Sequence, residues 1–245
     1  MMRLDRFVAE TSGLTRSQAV KMIRAGTVLV NGVPVRKPDL KIDESRETVT
    51  VSGQKCEYRR YRYYLLDKPT GVITATNDRK QETVLDLFPR EIQRQGIFPV
   101  GRLDKDTSGL LLLTNDGEYA HRIISPKSGI EKVYYARVTG ELSPQDAERF
   151  RAGLVLEDGT RCLPAELEIR GVSECLVTVM EGKYHQVRRM LAAVGKPVLT
   201  LRRLSIGPLH LDPALQTGQY RELTEGELCI MFKALHMEKM SKNES

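Results

Sequence analysis

Tryptophan is absent from this 245-residue chain, and cysteine and histidine occur only four times each. Cys56, Cys162, Cys175 and Cys229 form no CxxC pair, and His121, His185, His210 and His236 form no i,i+4 pair. That scatter speaks against a structural zinc site and predicts reduced thiols in a cytosolic protein. Long apolar runs are missing too. The longest purely aliphatic stretch is Leu110–Leu113, far short of a membrane span. No apolar segment follows MMRLDRFV, so no signal peptide is expected. GxGxxG and the phosphate-binding P-loop are both absent, so no nucleotide cofactor is expected either.

What is present is basic charge, unevenly spread. The net charge is +6 and the sequence pI about 9.1. Residues 1–60 hold 12 Lys/Arg against 7 Asp/Glu, and the remaining residues hold 26 against 25. Nearly all the excess therefore sits in the first quarter of the chain, where it favours polyanionic partners.

Leu4, Phe7 and Val8 share one helical face, and Gly13 ends that helix. Thr15 with Gln18 three residues on is a capping box for a second helix, with Ala19, Met22 and Ile23 on its apolar side and Gly26 at its end. In VLVNGVPV, residues 28–35, Asn31-Gly32 between alternating valines predicts a hairpin, and a further strand is expected around Thr48–Val51. Arg3, Arg16, Lys21 and Arg24 are among the cations on this unit. By themselves they fit a solvated basic face as well as a binding face. RLDRFVAE and TRSQAVKMIRAGTVLVNG, at this spacing, resemble the S4 RNA-binding module over roughly residues 2–50. The resemblance implies that the helix pair and hairpin present those four cations to folded RNA, giving affinity rather than sequence choice.

Residues 54–62, QKCEYRRYR, read as a linker. From Tyr63 the segments YYLLDKPTGVITA, GIFPV, LLLLT, KVYYARV, CLVTVM and LTLRRLSIGPLHL read as strands, with helical patterns at about residues 118–124, 144–152 and 185–194. Neighbouring strands often lack a crossover helix. The expected fold is α+β: a small helix-helix-hairpin module at 1–59, then a larger domain at 60–236 around a mostly antiparallel mixed sheet, and a disordered polar tail at 237–245.

The densest polar feature is GRLDKDTSGLLLLTNDG, residues 101–117, where a loop holding Arg102, Asp104 and Asp106 runs into a buried strand. From the residues alone, the two carboxylates could merely satisfy loop N–H groups. A D-x-D-x-T phosphatase motif is disfavoured, because Thr107 comes one position too early. This stretch resembles the signature of the pseudouridine synthases, in the branch that begins with an S4 module (the RsuA-like branch). KPTGV at 68–72, EKVYYA at 131–136, EGKYHQVRRMLAAVG at 181–195, and RRLSIGPLHL followed by GQYRELTEGE continue the match in the expected order.

The resemblance implies an isomerase that detaches a uracil from its ribose, turns it, and rejoins it through carbon, without cofactor or metal. The target base must first be swung out of the RNA. The resemblance makes Asp104 the catalytic carboxylate, Tyr134 the active-site tyrosine on which the base stacks, and Arg188 the active-site arginine, expected beside Asp104. Arg102 and Lys132 would bind substrate, and Leu201 would pack against the base. Lys132 and Tyr134 fall on one side of a strand by its period of two.

Tyr184-His185-Gln186, with HRIISPKS and EKVYYA, looks closer to the members that act on the small ribosomal subunit. The expected partner is therefore small-subunit ribosomal RNA, at the uridine-516 site, in an assembling particle. A cytoplasmic monomer without membrane attachment is expected. The competing readings are a large-subunit synthase and a catalytically silent ribosome-assembly factor.

Overall fold

A computed structural model describes residues 1–237. The tail expected at 237–245 lies outside the described residues, apart from Met237. The chain divides into two compact units. One holds Met1–Arg62 together with Phe88–Ile97, and the other holds Tyr63–Leu87 and the described residues from Phe98.

In the first unit, β1 (Met2–Arg3) leads into α1 (Leu4–Ser12), which ends at Gly13 with φ 65°. The helix α2 (Arg16–Ala25) starts at the Thr15–Gln18 capping box and stops at Gly26 with φ 78°. β2 (Val28–Val30) and β3 (Val33–Pro34) form the hairpin, with Asn31 and Gly32 both at positive φ as a two-residue primed turn requires. β4 (Lys41–Ile42) pairs with β1, and β5 (Val49–Val51) pairs with β2. Leu4, Phe7, Ile23, Val28, Ile42 and Val49 are all but fully buried in one cluster. Such burial contributes about 1.5–3 kcal/mol per large side chain.

The expected linker is corrected at its start: Gln54–Cys56 is a strand, β6, antiparallel to β5. Ser52 and Gly53, at φ 50° and 83°, make a second tight turn. The strand lies at the sheet's edge with no fully buried side chain, so it carries no apolar signal. The short α3 (Arg90–Gln93) lies in the excursion that belongs to this unit. Arg94 donates to the Gly13 carbonyl at 3.1 Å.

The second unit is built on β7 (Tyr63–Lys68), β8 (Phe98–Pro99), β9 (Thr107–Thr114), β10 (Lys132–Val138), β11 (Glu166–Gly171), β12 (Glu174–Val179), β13 (Val198–Ile206), β14 (Leu209–His210) and β15 (Tyr220–Glu222). The spine runs β11-β12-β10-β13-β9-β7-β15, with β14 on β13 and β8 on β9. Every pairing is antiparallel except β9 with β13, which are parallel. This is the α+β fold with a largely antiparallel mixed sheet.

Four helices cover it: α4 (Gly117–Ile124), α5 (Pro144–Ala152), α6 (Gln186–Ala193) and α7 (Glu225–Ala234). Phe150 of α5 and Met190 and Leu191 of α6 join Val177 and Leu201 in one core. Tyr119 of α4 and Met231 and Phe232 of α7 join Leu65, Leu110 and Leu112 in another. Leu110–Leu113 is buried throughout, which explains its unbroken apolar text. No helix among the described residues is long and apolar enough to cross a membrane.

Candidate active site

The loop before β9 is shaped by groups distant in sequence. Lys68, at the end of β7, is fully buried. Its ammonium donates to the carbonyls of Pro69 at 2.9 Å, Asp104 at 3.1 Å and Thr107 at 3.0 Å. Burial pulls its pKa down from the ordinary lysine value to about 8, against the attraction of Asp104 and Asp106. Thr74 grips the same loop from the other side. Its hydroxyl donates to the Leu103 carbonyl at 2.7 Å and accepts from the Leu103 N–H at 3.2 Å. Asp104 is thus held by its backbone, leaving its carboxylate available.

That carboxylate faces a cavity of about 730 Å³, a size typical of small-molecule sites. Arg102, Asp104, Lys132, Tyr134 and Leu201 all line it, as sequence reasoning grouped them. Lys132 and Tyr134 stay on one side of β10 even though the register with β13 shifts between Val133 and Tyr134. Lys132 donates to the Ile130 carbonyl at 3.0 Å, and burial followed by the nearby Arg203 lowers its pKa to about 8. Leu201 is buried at the cavity wall.

Arg188 requires a correction. It does not pair with Asp104. Its Nη2 lies 3.0 Å from the Asp106 carboxylate and donates to the Asp106 carbonyl at 3.1 Å. The expected apolar stripe of α6 (Val187, Met190, Leu191 and Val194) is buried, so Arg188 does sit on the helix flank. The loop, fixed by Lys68 and Thr74, presents Asp106 to that flank instead of Asp104. The Asp104 carboxylate faces His185, whose Nε2 is 3.4 Å from Oδ1. His185 is the left-handed N-cap of α6 at φ 46° and stacks on Tyr184 with ring centroids 3.9 Å apart. Gln186, nearly buried, pins the helix start by donating to Glu181 at 2.7 Å and accepting from the Lys183 N–H at 2.9 Å.

Sequence reasoning missed Lys68 and Arg203. Lys68 stood inside a quoted motif, but nothing local reveals a buried lysine. Arg203 lies on β13, 3% exposed, and reaches the same cavity. Gly109 explains how the two parallel strands come so close. At φ 103°, a Cβ there would lie 2.2 Å from the Arg203 carbonyl oxygen, so no side chain fits.

A family model described as RNA pseudouridylate synthase matches residues 62–193, and an S4 domain model matches residues 2–47. Relatives match over nearly the whole chain. A Bacillus subtilis protein named uncharacterized RNA pseudouridine synthase YtzG is 43% identical, over 94% of this chain and 98% of its own. The chain belongs to the RNA pseudouridine synthases. The ribosomal small subunit pseudouridine synthase A of Vibrio cholerae is 40% identical to the enzyme, over 95% of this chain and all of its own. Its Escherichia coli namesake is 38% identical, over 93% and 98%. A crystal structure of a pseudouridylate synthase superposes with a TM-score of 0.66 at 36% identity, covering 94% of this chain and all of the other.

The cations of the S4 unit divide into two kinds. Arg3 and Arg16 both bind Asp5, at 2.8 and 3.3 Å, and Asp5 is itself 3% exposed. Lys21 and Arg24 are exposed on α2, with no ion pair among the described residues. Neutralising these two as Lys21→Gln/Arg24→Gln should leave thermal stability unchanged, since both are exposed. If both contact phosphates, the salt slope of RNA binding should become shallower by roughly 0.7–0.9 per residue. Titrations at several salt concentrations measure this, and an unchanged slope would place the RNA elsewhere.

Proposed function

We propose that the enzyme isomerises one uridine of small-subunit ribosomal RNA, the uridine-516 site, during subunit assembly. The observation that carries this reading is the 40% identity with a synthase named for the small subunit, over that relative's entire length, S4 unit included. The relatives' names supply the substrate, and the cavity supplies the chemistry.

In this reading residues 1–59 form the RNA-gripping module and 60–236 the catalytic one. Arg3, Arg16, Lys21 and Arg24 hold folded RNA. The flipped nucleotide enters the cavity, where Asp104 starts cleavage of the bond between N1 of the base and C1′ of the ribose. Tyr134 offers the face on which the freed base turns, Leu201 packs its edge, and Arg102 and Lys132 hold the nucleotide's polar groups. Arg188 serves through Asp106: it braces the loop that carries Asp104 and so positions the carboxylate. The reaction is a net rearrangement, so neither cofactor nor metal is needed. The enzyme works as a cytoplasmic monomer where ribosomes are built.

The timing follows from access. Finished subunits are packed with protein, whereas naked RNA lacks the fold that the S4 unit grips. Partly assembled small-subunit particles should therefore yield more pseudouridine than mature subunits, naked RNA or large-subunit RNA at matched salt. Mapping the product by sequencing tests this directly. Efficient modification of large-subunit RNA, with none on the particle, would move the enzyme to the other branch.

A further inference from the structure

The cavity contains more positive charge than the residues named so far account for. Arg203 donates through Nε to the Leu110 carbonyl at 2.7 Å and through Nη1 to the Tyr134 hydroxyl at 3.4 Å. Its guanidinium carbon lies 5.9 Å from the Tyr134 ring centroid. Nη2 is buried and has no partner. No carboxylate pairs with Arg203 or with Lys132 among the described residues. Thr107 Oγ1, 1% exposed and on the same cavity, is a second orphan, and β9 and β13 set Thr107 opposite Leu201. Buried polar atoms rarely stay unpaired, and buried charges rarely lack a counter-charge. Two such atoms and two such cations around one cavity suit a ligand that is polar and negative at some stage.

Building on the proposed uridine isomerisation, we propose that Arg203 is a catalytic residue: Nη2 donates to a carbonyl oxygen of the flipped uracil and stabilises the charge the base carries while detached. When the N1–C1′ bond breaks, its electron pair leaves with the base. The negative charge spreads over N1, O2 and O4. After rotation a C5–C1′ bond forms, the C5 proton is lost and N1 regains a proton, so the base is neutral again. The interaction is therefore strongest in mid-reaction, which is the condition for accelerating it rather than merely tightening binding. A donor already fixed in place pays no reorganisation cost at that moment. The Leu110 carbonyl fixes the guanidinium beside the tyrosine ring proposed to carry the base. Lys132 adds a second positive charge on the adjacent strand, and burial plus Arg203 itself already push its pKa down to about 8, as expected for two cations facing an empty space.

The test is leaving-group dependence. Full-length enzyme, Arg203→Gln and Arg203→Lys are compared in single turnover on the same RNA carrying uridine or 5-fluorouridine at the target, following loss of the N-linked nucleoside. Fluorine at C5 already disperses the ring's charge. Arg203→Gln should slow uridine consumption by roughly 10²–10³-fold. RNA affinity should change little, and the defect should shrink markedly with 5-fluorouridine. Arg203→Lys, which can still donate to Leu110, should show a smaller defect relieved in the same direction, and it decides the matter if the Gln variant does not fold. Equal losses on both RNAs would overturn the proposal. So would a loss confined to RNA affinity and its salt slope, the mark of a phosphate contact. Asp104→Asn run in parallel separates the two readings. If it is inactive while the Arg203 defect ignores fluorine, only the role of Arg203 falls. If it is active, the site itself falls and Arg203 with it.

Discussion

Asp104→Asn is expected to abolish isomerisation, with a loss of roughly 10³-fold or more, while RNA affinity stays nearly unchanged. The magnitude is that of removing a nucleophile or general base from a fixed position. The substitution is clean because the loop is held by backbone. Lys68 binds the Asp104 carbonyl, not its side chain, and Thr74 binds Leu103. Asn therefore keeps the shape and loses the charge. The substitution also leaves the contact with His185, whose Nε2 is 3.4 Å from Oδ1 and which is itself partly exposed, without its carboxylate. Tritium release from RNA labelled at carbon 5 of uridine measures the effect. Activity within tenfold of the unsubstituted enzyme would remove Asp104 from the chemistry.

Lys68→Met should have the largest effect on stability. Methionine fills the buried volume but removes the ammonium from the carbonyls of Pro69, Asp104 and Thr107, of which only that of Asp104 keeps a further donor, the Thr107 N–H at 3.1 Å. An orphaned buried acceptor costs about 1–3 kcal/mol, so two should cost about 2 kcal/mol or more. For a domain of this size that lowers the unfolding midpoint by roughly 5 °C. The folded fraction should also turn over slowly, because the Asp104 loop has lost its anchor. Thermal unfolding and single-turnover rates on one preparation read both effects, and an unchanged midpoint would show that the ammonium is not the tie.

The same lysine carries a pH signature. Its folded pKa of about 8 lies below that of the unfolded chain, so both states hold the proton below pH 8. Between about 8 and the ordinary lysine value only the unfolded chain holds it, and stability linked to Lys68 rises with pH. The rate should fall over that range, since a neutral amine has two N–H donors for three carbonyls. Lys132 titrates in the same range.

Much of the fold was legible because its signals are local. The Thr15–Gln18 box, the Asn31-Gly32 turn and the leucine run before Thr114 each declare themselves within a few residues, and each is where the spacing put it. Gln54–Cys56 and Glu166–Gly171 were not legible, because largely exposed strands need few apolar residues. Five of the expected residues, Arg102, Asp104, Lys132, Tyr134 and Leu201, line one cavity, but their contacts were not legible. Along β13, alternation by hydrophobicity would turn Leu204 inward and Arg203 outward. The observed burial is the reverse: Leu201, Arg203 and Ser205 are buried, and Arg202 and Leu204 are less so. A guanidinium takes an inward position because the inward side there is a cavity. Likewise Asp104 and Asp106 stand two apart in a loop whose path is set by Lys68 and Thr74, about thirty or more positions away, so sequence alone could not say which one meets Arg188.

The lone parallel pairing in the large sheet has a consequence for how the enzyme is made. Residues 107–109 meet residues 201–203 there, and the cavity needs both. At about 5–20 residues per second, translation separates these segments by on the order of 5–20 s. During that interval Asp104 has been synthesised but Leu201 has not, and no rearrangement of the partial chain can supply the missing wall. A long-range closure of this type is also slow to nucleate. The growing polypeptide therefore passes its signature motif well before the cavity can close, and any product of early termination before β13 retains the signature without the pocket.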